Sequence, residues 1–405
     1  MTQRMRERER VRRLASEVIE MAHEPRMEAV RKRWRDVNAL RKPDRAPVWC
    51  RPVGCWSEIL PADALQCQDP WLSRMEYGFL QTLYKRGVGD DTPVEPYFTV
   101  GAAFDVSPTN VWGVDIRRRT PNVAGGSWAY DPPLKEEADF ERLRTPVFSY
   151  NAAKTNERLE RMSDLLGDIA PVRLGAGPLL GATLGNAAAD LRGLEQMMVD
   201  MTDRPDLSQR LMGYLRDAVL GSLDVVEETG LVTPNNTGPM TTSDPLGAAG
   251  SDGRFSFRAC WCMANSQEFD GVSPAMWEEL CLNYQKPIFE RFGLVGYGCC
   301  ENLTRKINGV LSIPNLRIFV CSAWTDLDVV LDKVGTRYCI MWRQKASDVV
   351  YGDASRVRDD LMEGARRLQG CSYQIVLREL QTLAGNLDRL HVWTQAAIEA
   401  ATRFN

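Results

Sequence analysis

The sequence predicts an α/β protein, a (β/α)8 TIM barrel with an N-terminal helical extension. Three observations carry this. From Pro171 onward, apolar runs of strand length alternate with amphipathic segments over short connections, the pattern of parallel β/α units. About eight strand candidates follow the extension, which suits a barrel with insertions. No G-x-G-x-x-G follows a first strand and there is no P-loop, so a nucleotide-binding sheet is the weaker choice.

The elements follow in order. Residues 4–40 read as two helices broken near Pro25, and in the second Met27, Val30, Trp34 and Val37 share one apolar face. Pro43 and Pro47 punctuate its end, so residues 1–45 are the helical extension and 46–405 the catalytic barrel. VWCRPVGCW from Val48 and EPYFTVGAAFD from Glu95 read as strands. VWGVDIRRRT and GGSWAYDPP read as a β-excursion, and LKEEADFERLR as a helix. PVRLGAGPLLGATLG is a strand with a Gly-rich loop, residues 191–230 are two helices parted near Pro205, and LVTPNN is a short strand. The helix from Ser273 has a serine N-cap with Pro274 at its first position. GLVGYGCCE, NLRIFVCSAW, RYCIMWRQK and CSYQIVLREL are strands separated by helices, and LDRLHVWTQAAIEAATRF is the last helix.

Composition narrows the chemistry. The net charge is −4 over 405 residues, with no whole-chain basic excess to favour nucleic acid. No segment approaches the roughly 18 apolar residues of a membrane span. The arginine-rich N-terminus lacks an apolar run behind it, so no secretory signal is expected. The 11 cysteines are an odd number, and with no export signal reduced thiols and a cytoplasmic location are expected. The two histidines, His23 and His391, fall in helical patterns, which argues against Ser-His-Asp or Cys-His catalysis and an imidazole-rich metal site. A metal would be held by Cys, Asp or Glu.

In a barrel, function gathers at the C-terminal ends of strands. GYGCCE delivers Tyr297, Cys299, Cys300 and Glu301 there, and the last strand ends in Arg378 and Glu379. Two thiolates with carboxylates suit zinc, which accepts sulfur and oxygen and keeps one position open in catalytic sites. The ligand set is Cys299 with Glu379, plus Cys300 or Glu301. On a strand Cys299 and Cys300 point to opposite faces, so both bind one ion only if the chain turns there. Cys260, Cys262, Cys281 and Cys371 read as small buried hydrophobes, and so do Cys321 and Cys339. Trp56, Trp261, Trp324 and Trp342, at strand ends, would form an aromatic cup for a flat or methylated substrate. Asn235, Gln267 and Arg343 are further substrate-binding candidates.

The segments NSQEFDGVSPAMWEEL, NYQKPIFERFGLVGYGCCENL and IPNLRIFVCSAW, with the closing strand before LDRLHVW, resemble the uroporphyrinogen decarboxylase superfamily in its methyltransferase-like branch. The resemblance runs from about residue 170 to 400 and implies a (β/α)8 barrel. In the corrinoid-dependent methyltransferases of that group, a zinc on a His-x-Cys pair and a later Cys activates a thiol. Others pass a methyl group from a methylated substrate to a corrinoid protein. Placing GYGCCEN on the His-x-Cys segment sets Tyr297 at the histidine and Cys299 at the cysteine, and the later cysteine falls near Glu379. Two of the three ligand positions depart from the pattern, against the thiol-activating role. The arginine-rich substrate segment of the true decarboxylases is not recognisable.

The resulting expectation is a methyltransferase. It would take a methyl group from an aryl methyl ether (O-demethylation) or a methylamine-like compound and pass it to the corrinoid of a partner protein. Zinc on Cys299, Cys300 and Glu379 would activate the leaving group; without zinc, Tyr297, Glu301 or Glu379 would supply the proton. A homodimer is a further expectation. The alternatives are a metal-free decarboxylase or lyase holding a small carboxylate on Arg51, Arg343 and Arg378, and a non-catalytic ligand-binding barrel.

Overall fold

The computed structural model describes residues 2–120 and 129–405. Its strands are β1 (Val48–Pro52), β2 (Phe98–Gly101), β3 (Phe104–Ser107), β4 (Arg117–Arg119), β5 (Ala129–Asp131), β6 (Val147–Tyr150), β7 (Val172–Gly175), β8 (Trp261–Ala264), β9 (Leu294–Tyr297), β10 (Leu316–Cys321), β11 (Cys339–Gln344) and β12 (Tyr373–Leu380). Six of them form one parallel sheet in the order β1-β12-β11-β10-β9-β8. Helices connect the successive strands of this sheet, so the α/β alternation is as the sequence predicts.

The closed eight-strand ring is not formed as one ladder. β2 and β7 pair in parallel by themselves, and an isolated bridge from Ala176 to Val232 extends the pair to the LVTPNN segment. From there a side chain takes over. The Asn235 amide donates to the Trp261 carbonyl at 2.9 Å and accepts from the Trp261 N–H at 2.7 Å. The free edge of β1 is finished in the same way. Val48 N donates to an Asp91 carboxylate oxygen and Cys50 N to Asp90, while Asp91 N returns a bond to the Val48 carbonyl. Carboxylates thus satisfy edge N–H groups that a neighbouring strand would otherwise pair. Arg33 and Arg45 neutralise Asp91, and Lys85 neutralises Asp90.

Residue alternation sorts the strands into two faces. Ile318, Val320, Cys339, Met341 and Val376 point to the concave side, where they join Trp49 and Trp261. Phe319, Cys321, Ile340, Ile375 and Leu377 point outward beneath the helices. The apolar face of the helix Pro25–Asn38 lands in the concave cluster, with Met27, Val30, Trp34 and Val37 all buried. Its end is tied to the starts of two strands, since Arg317 donates to the Asn38 carbonyl and Gln374 to the Asn38 side chain. The extension therefore closes the N-terminal end of the sheet, and that apolar face is spent inside the molecule, away from any second copy.

Other departures are local. LKEEADFERLR forms only a 3-10 turn at Glu137–Arg142. The β-excursion exists as the antiparallel pair β4·β5, and GGSW of its second half lies outside the described residues. The helix from Ser273 begins at the predicted cap, with Ser273 Oγ accepting from Met276 N, but includes a π turn at Glu278–Leu282. A helix at Pro70–Val88 fills a stretch to which no element was assigned. Its marks were present, with Asp69 at the N-cap, Pro70 at the first position and Gly89 left-handed at the C-cap.

Trp342 shows what alternation decides. It lies on the outer face, and a Cβ on Gly364 would come within 2.1 Å of its ring. Gly364→Ala is expected to lower stability by about 1–3 kcal/mol through overpacking, measurable by urea unfolding. Unchanged stability would show that the indole has room to move.

Candidate functional site

Strand β9 ends at Tyr297, and Gly298 follows with φ +117. That conformation is open to glycine alone, and a Cβ there would meet Val320 Cβ at 2.8 Å and Leu303 Cδ1 at 2.9 Å. Gly298 makes the turn that two converging cysteines require. Cys299 and Cys300 consequently place their sulfurs 3.8 Å apart on the same side.

The carboxylate arrives by a second backbone device. Cys50 pairs with Leu377 and Pro52 with Leu380, so Arg378 and Glu379 together oppose the single residue Arg51. This is a β-bulge, and Glu379 sits at φ +61, a conformation that a glutamate rarely adopts. Simple alternation would send Arg378 and Glu379 to opposite faces; with the bulge both line one cavity. Strained residues of this kind cluster at binding and catalytic sites.

One thiol from each of Cys299 and Cys300 and one carboxylate oxygen of Glu379 lie within 4.8 Å of one another. They border a cavity of about 250 Å³, walled also by Ser322, Trp324, Arg343, Gln344, Lys345 and Arg378. Arg343, which is 3 % exposed, pairs through Nη2 with Glu379. Its Nη1 is buried without a hydrogen-bond partner, as is Arg378 Nε. Lys345 Nζ lies 5.2 Å over the exposed Trp324 ring at the rim.

The electrostatics separate the two thiols. A hydrogen bond from Cys300 and the positive charges of Arg343 and Arg378 bring the Cys299 thiol down to about 6. Cys300, the donor in that bond, is pushed up, by the bond itself and then by burial. In chelator-treated protein, alkylation of Cys299 by iodoacetamide should therefore be half-maximal near pH 6, with the thiolate dominant above and lost below. Mass spectrometry of the modified peptide would read this, and a midpoint near the ordinary thiol range would contradict it. Buried Cys321 and Cys339 are pushed up to about 12 by desolvation, in keeping with a packing role.

The structure brings Cys299, Cys300, Glu379, Trp324 and Arg343 together, with Arg378 beside them. Other candidates lie elsewhere. Glu301 is 2 % exposed and turned inward; its carboxylate accepts from Ser266 N and from Cys299 N, each at 2.8 Å. Burial pushes its proton affinity up. It braces the loop that presents the thiols, and its atoms do not reach the cavity wall. Tyr297 is fully buried on the outer face, donating to Gln285 Oε1 at 2.9 Å. The aromatic cup is reduced to Trp324. Trp342 packs on Gly364, and Trp261 is buried in the concave cluster with Nε1 donating to Ser243. Trp56 and Arg51 line a separate cavity beside Lys85. Asn235 is spent on Trp261, and Gln267 is half-buried with Oε1 unpaired. Ser322 and Gln344 are wall residues that sequence reasoning missed, and nothing in their local pattern marks them.

The donor set fits zinc: two sulfurs and one oxygen converge beside an open cavity, with the ligand loop braced by Glu301. Gly298→Ala is expected to cost about 1–3 kcal/mol and to separate the sulfurs, so that dithiol-specific labelling falls with stability. Retained labelling at native stability would show that the turn does not depend on glycine.

No protein-family model matches the chain, and no curated protein sequence matches it. Among solved structures it is similar to a methyltransferase from Methanosarcina mazei, with a TM-score of 0.55 over 91 % of this chain and 98 % of that one, at 11 % identity. At that identity the likeness speaks for the fold, which is methyltransferase-like.

Proposed function

We propose that the protein is a methyltransferase of the corrinoid-dependent kind, built as an imperfect (β/α)8 barrel. It removes a methyl group from a small methylated substrate and passes it to the corrinoid of a partner protein. The observation that carries this reading is the Cys299–Cys300–Glu379 cluster, mounted by two backbone devices at the C-terminal ends of β9 and β12. The methyltransferase-like fold supports it.

Cys299, Cys300 and Glu379 would hold a zinc ion. When bound, zinc supplies Lewis acidity that draws charge off the oxygen or nitrogen losing its methyl group. The chain's own residues do the rest. Arg343 pairs with Glu379 and orients its carboxylate. Glu301 fixes the backbone of Cys299. Trp324 and Lys345 form one rim of the cavity. Methyl transfer replaces a substrate C–O or C–N bond by a carbon–cobalt bond on the partner, and the oxygen or nitrogen that is left takes a proton. Solvent supplies that proton, because Cys300 as a zinc ligand would be a thiolate.

The test is methylation of free cob(I)alamin, followed by its change in absorbance, with a panel of aryl methyl ethers and methylamines. Substrate-dependent methylation that Cys299→Ala abolishes is expected. Release of carbon dioxide with the methyl group intact would replace this reading by the decarboxylase one.

A further inference from the structure

The cavity beside the cysteine cluster carries more hydrogen-bonding capacity for an anion than the protein uses. Arg343 is more than nine-tenths buried, and while Nη2 is taken by Glu379, Nη1 has no acceptor. Arg378 Nε lies 3.7 Å from Glu379 Oε1, beyond hydrogen-bond reach, and has no other acceptor. Both side chains line the same cavity: Arg378 follows Val376 onto the concave face, and the bulge turns Glu379 in beside it.

Buried donors without partners are costly, more so on charged groups. The charge balance points the same way. With a dication on Cys299, Cys300 and Glu379, three anionic ligands face that ion and two guanidiniums, and a positive charge remains. Lys345 does not change this, because Asp348 answers it at 3.6 Å outside the cavity. Guanidinium pairs bind carboxylates through parallel charge-assisted bonds.

We propose that Arg343 Nη1 and Arg378 Nε form a carboxylate-binding fork, so that the substrate is a small carboxylic acid anchored by its anion beside the thiol cluster. The fork rests on the cavity alone; that the acid is methylated rests on the methyl-transfer reading. The cavity of about 250 Å³ admits a single compact acid and not a macrocycle. Arg51, the third arginine of the anion reading, lines a different cavity and takes no part.

Isothermal titration of the full chain tests this with two matched pairs: 4-methoxybenzoate against 4-methoxybenzamide, and N,N-dimethylglycine against its amide. At least one acid should bind about tenfold to a hundredfold tighter than its amide. In Arg378→Gln that acid should fall to the level of its amide. Equal binding of acid and amide in both pairs, or no saturable binding of either acid, overturns the fork. So does a discrimination that persists in Arg378→Gln. The wild-type comparison stands even where the variant fails to fold. An acid that binds through Arg378 but never yields its methyl group leaves the fork intact and removes the methyl-transfer reading. Methyl transfer from an amide as fast as from its acid does the reverse.

Discussion

Cys299→Ala is expected to lower zinc affinity and methyl transfer by at least about a hundredfold, since loss of a direct ligand exceeds the 10–100-fold typical of losing an outer-shell partner. The effect follows from the geometry. Cys299 is the thiol brought down to about 6, with the Cys300 hydrogen bond and the Arg343 and Arg378 charges around it. No other sulfur among the described residues is placed to substitute. The nearest, Cys300, already belongs to the cluster, and Cys321 donates weakly to the carbonyls of Ser322 and Thr325. Circular dichroism should show the variant folded, because Cys299 is only partly buried. Equilibrium dialysis with zinc and the cob(I)alamin assay read the two losses. Transfer that survives at near wild-type rate would mean that the thiols line the site without acting in it.

Asp91→Ala is expected to destabilise the fold by about 3–5 kcal/mol, the range for leaving buried partners of an ion pair uncompensated. Asp91 is fully buried. It accepts from Arg33, Arg45 and the backbone of Val48, so one substitution leaves Arg45 and an edge N–H without their carboxylate and Arg33 with Asp44 alone. The damage should fall on the join between the N-terminal helices and β1, since Trp34 Nε1 also donates to the Asp91 carbonyl. Hydrogen exchange should show the amides of β1 and residues 25–38 losing protection first. A loss below about 1 kcal/mol would mean that water replaces the carboxylate at little cost.

These two residues mark what the sequence does and does not reveal. The Cys-Cys pair was legible because thiols and a carboxylate follow an apolar run, and the turn they need was legible in principle, since glycine precedes them. Arg378 and Glu379 were legible as the end of the last strand. The bulge that turns Glu379 in beside Arg378 was not, because a left-handed glutamate carries no mark in its neighbours. Asp90 and Asp91 lie in a stretch to which the sequence pattern assigns no element. Their role as the finish of a sheet edge depends on a contact more than 40 residues away in the chain, between Asp91 and Val48. Trp342 could have been placed correctly. Arg343 faces the cavity, so its neighbour in a strand must face the helices. Glu301 was misread for a related reason. Adjacency to two thiols does not decide which way a carboxylate turns after a tight bend, and here the backbone N–H groups of Cys299 and Ser266 claim it.

The account stands on the metal. Elemental analysis of protein purified without chelators or a histidine tag, beside Cys299→Ala prepared identically, is the most direct measurement. The structure leads us to expect close to one zinc per chain in the wild type and a small fraction of that in the variant. Wild-type protein free of zinc and unable to take it up, or a variant that keeps the full amount, would contradict the account.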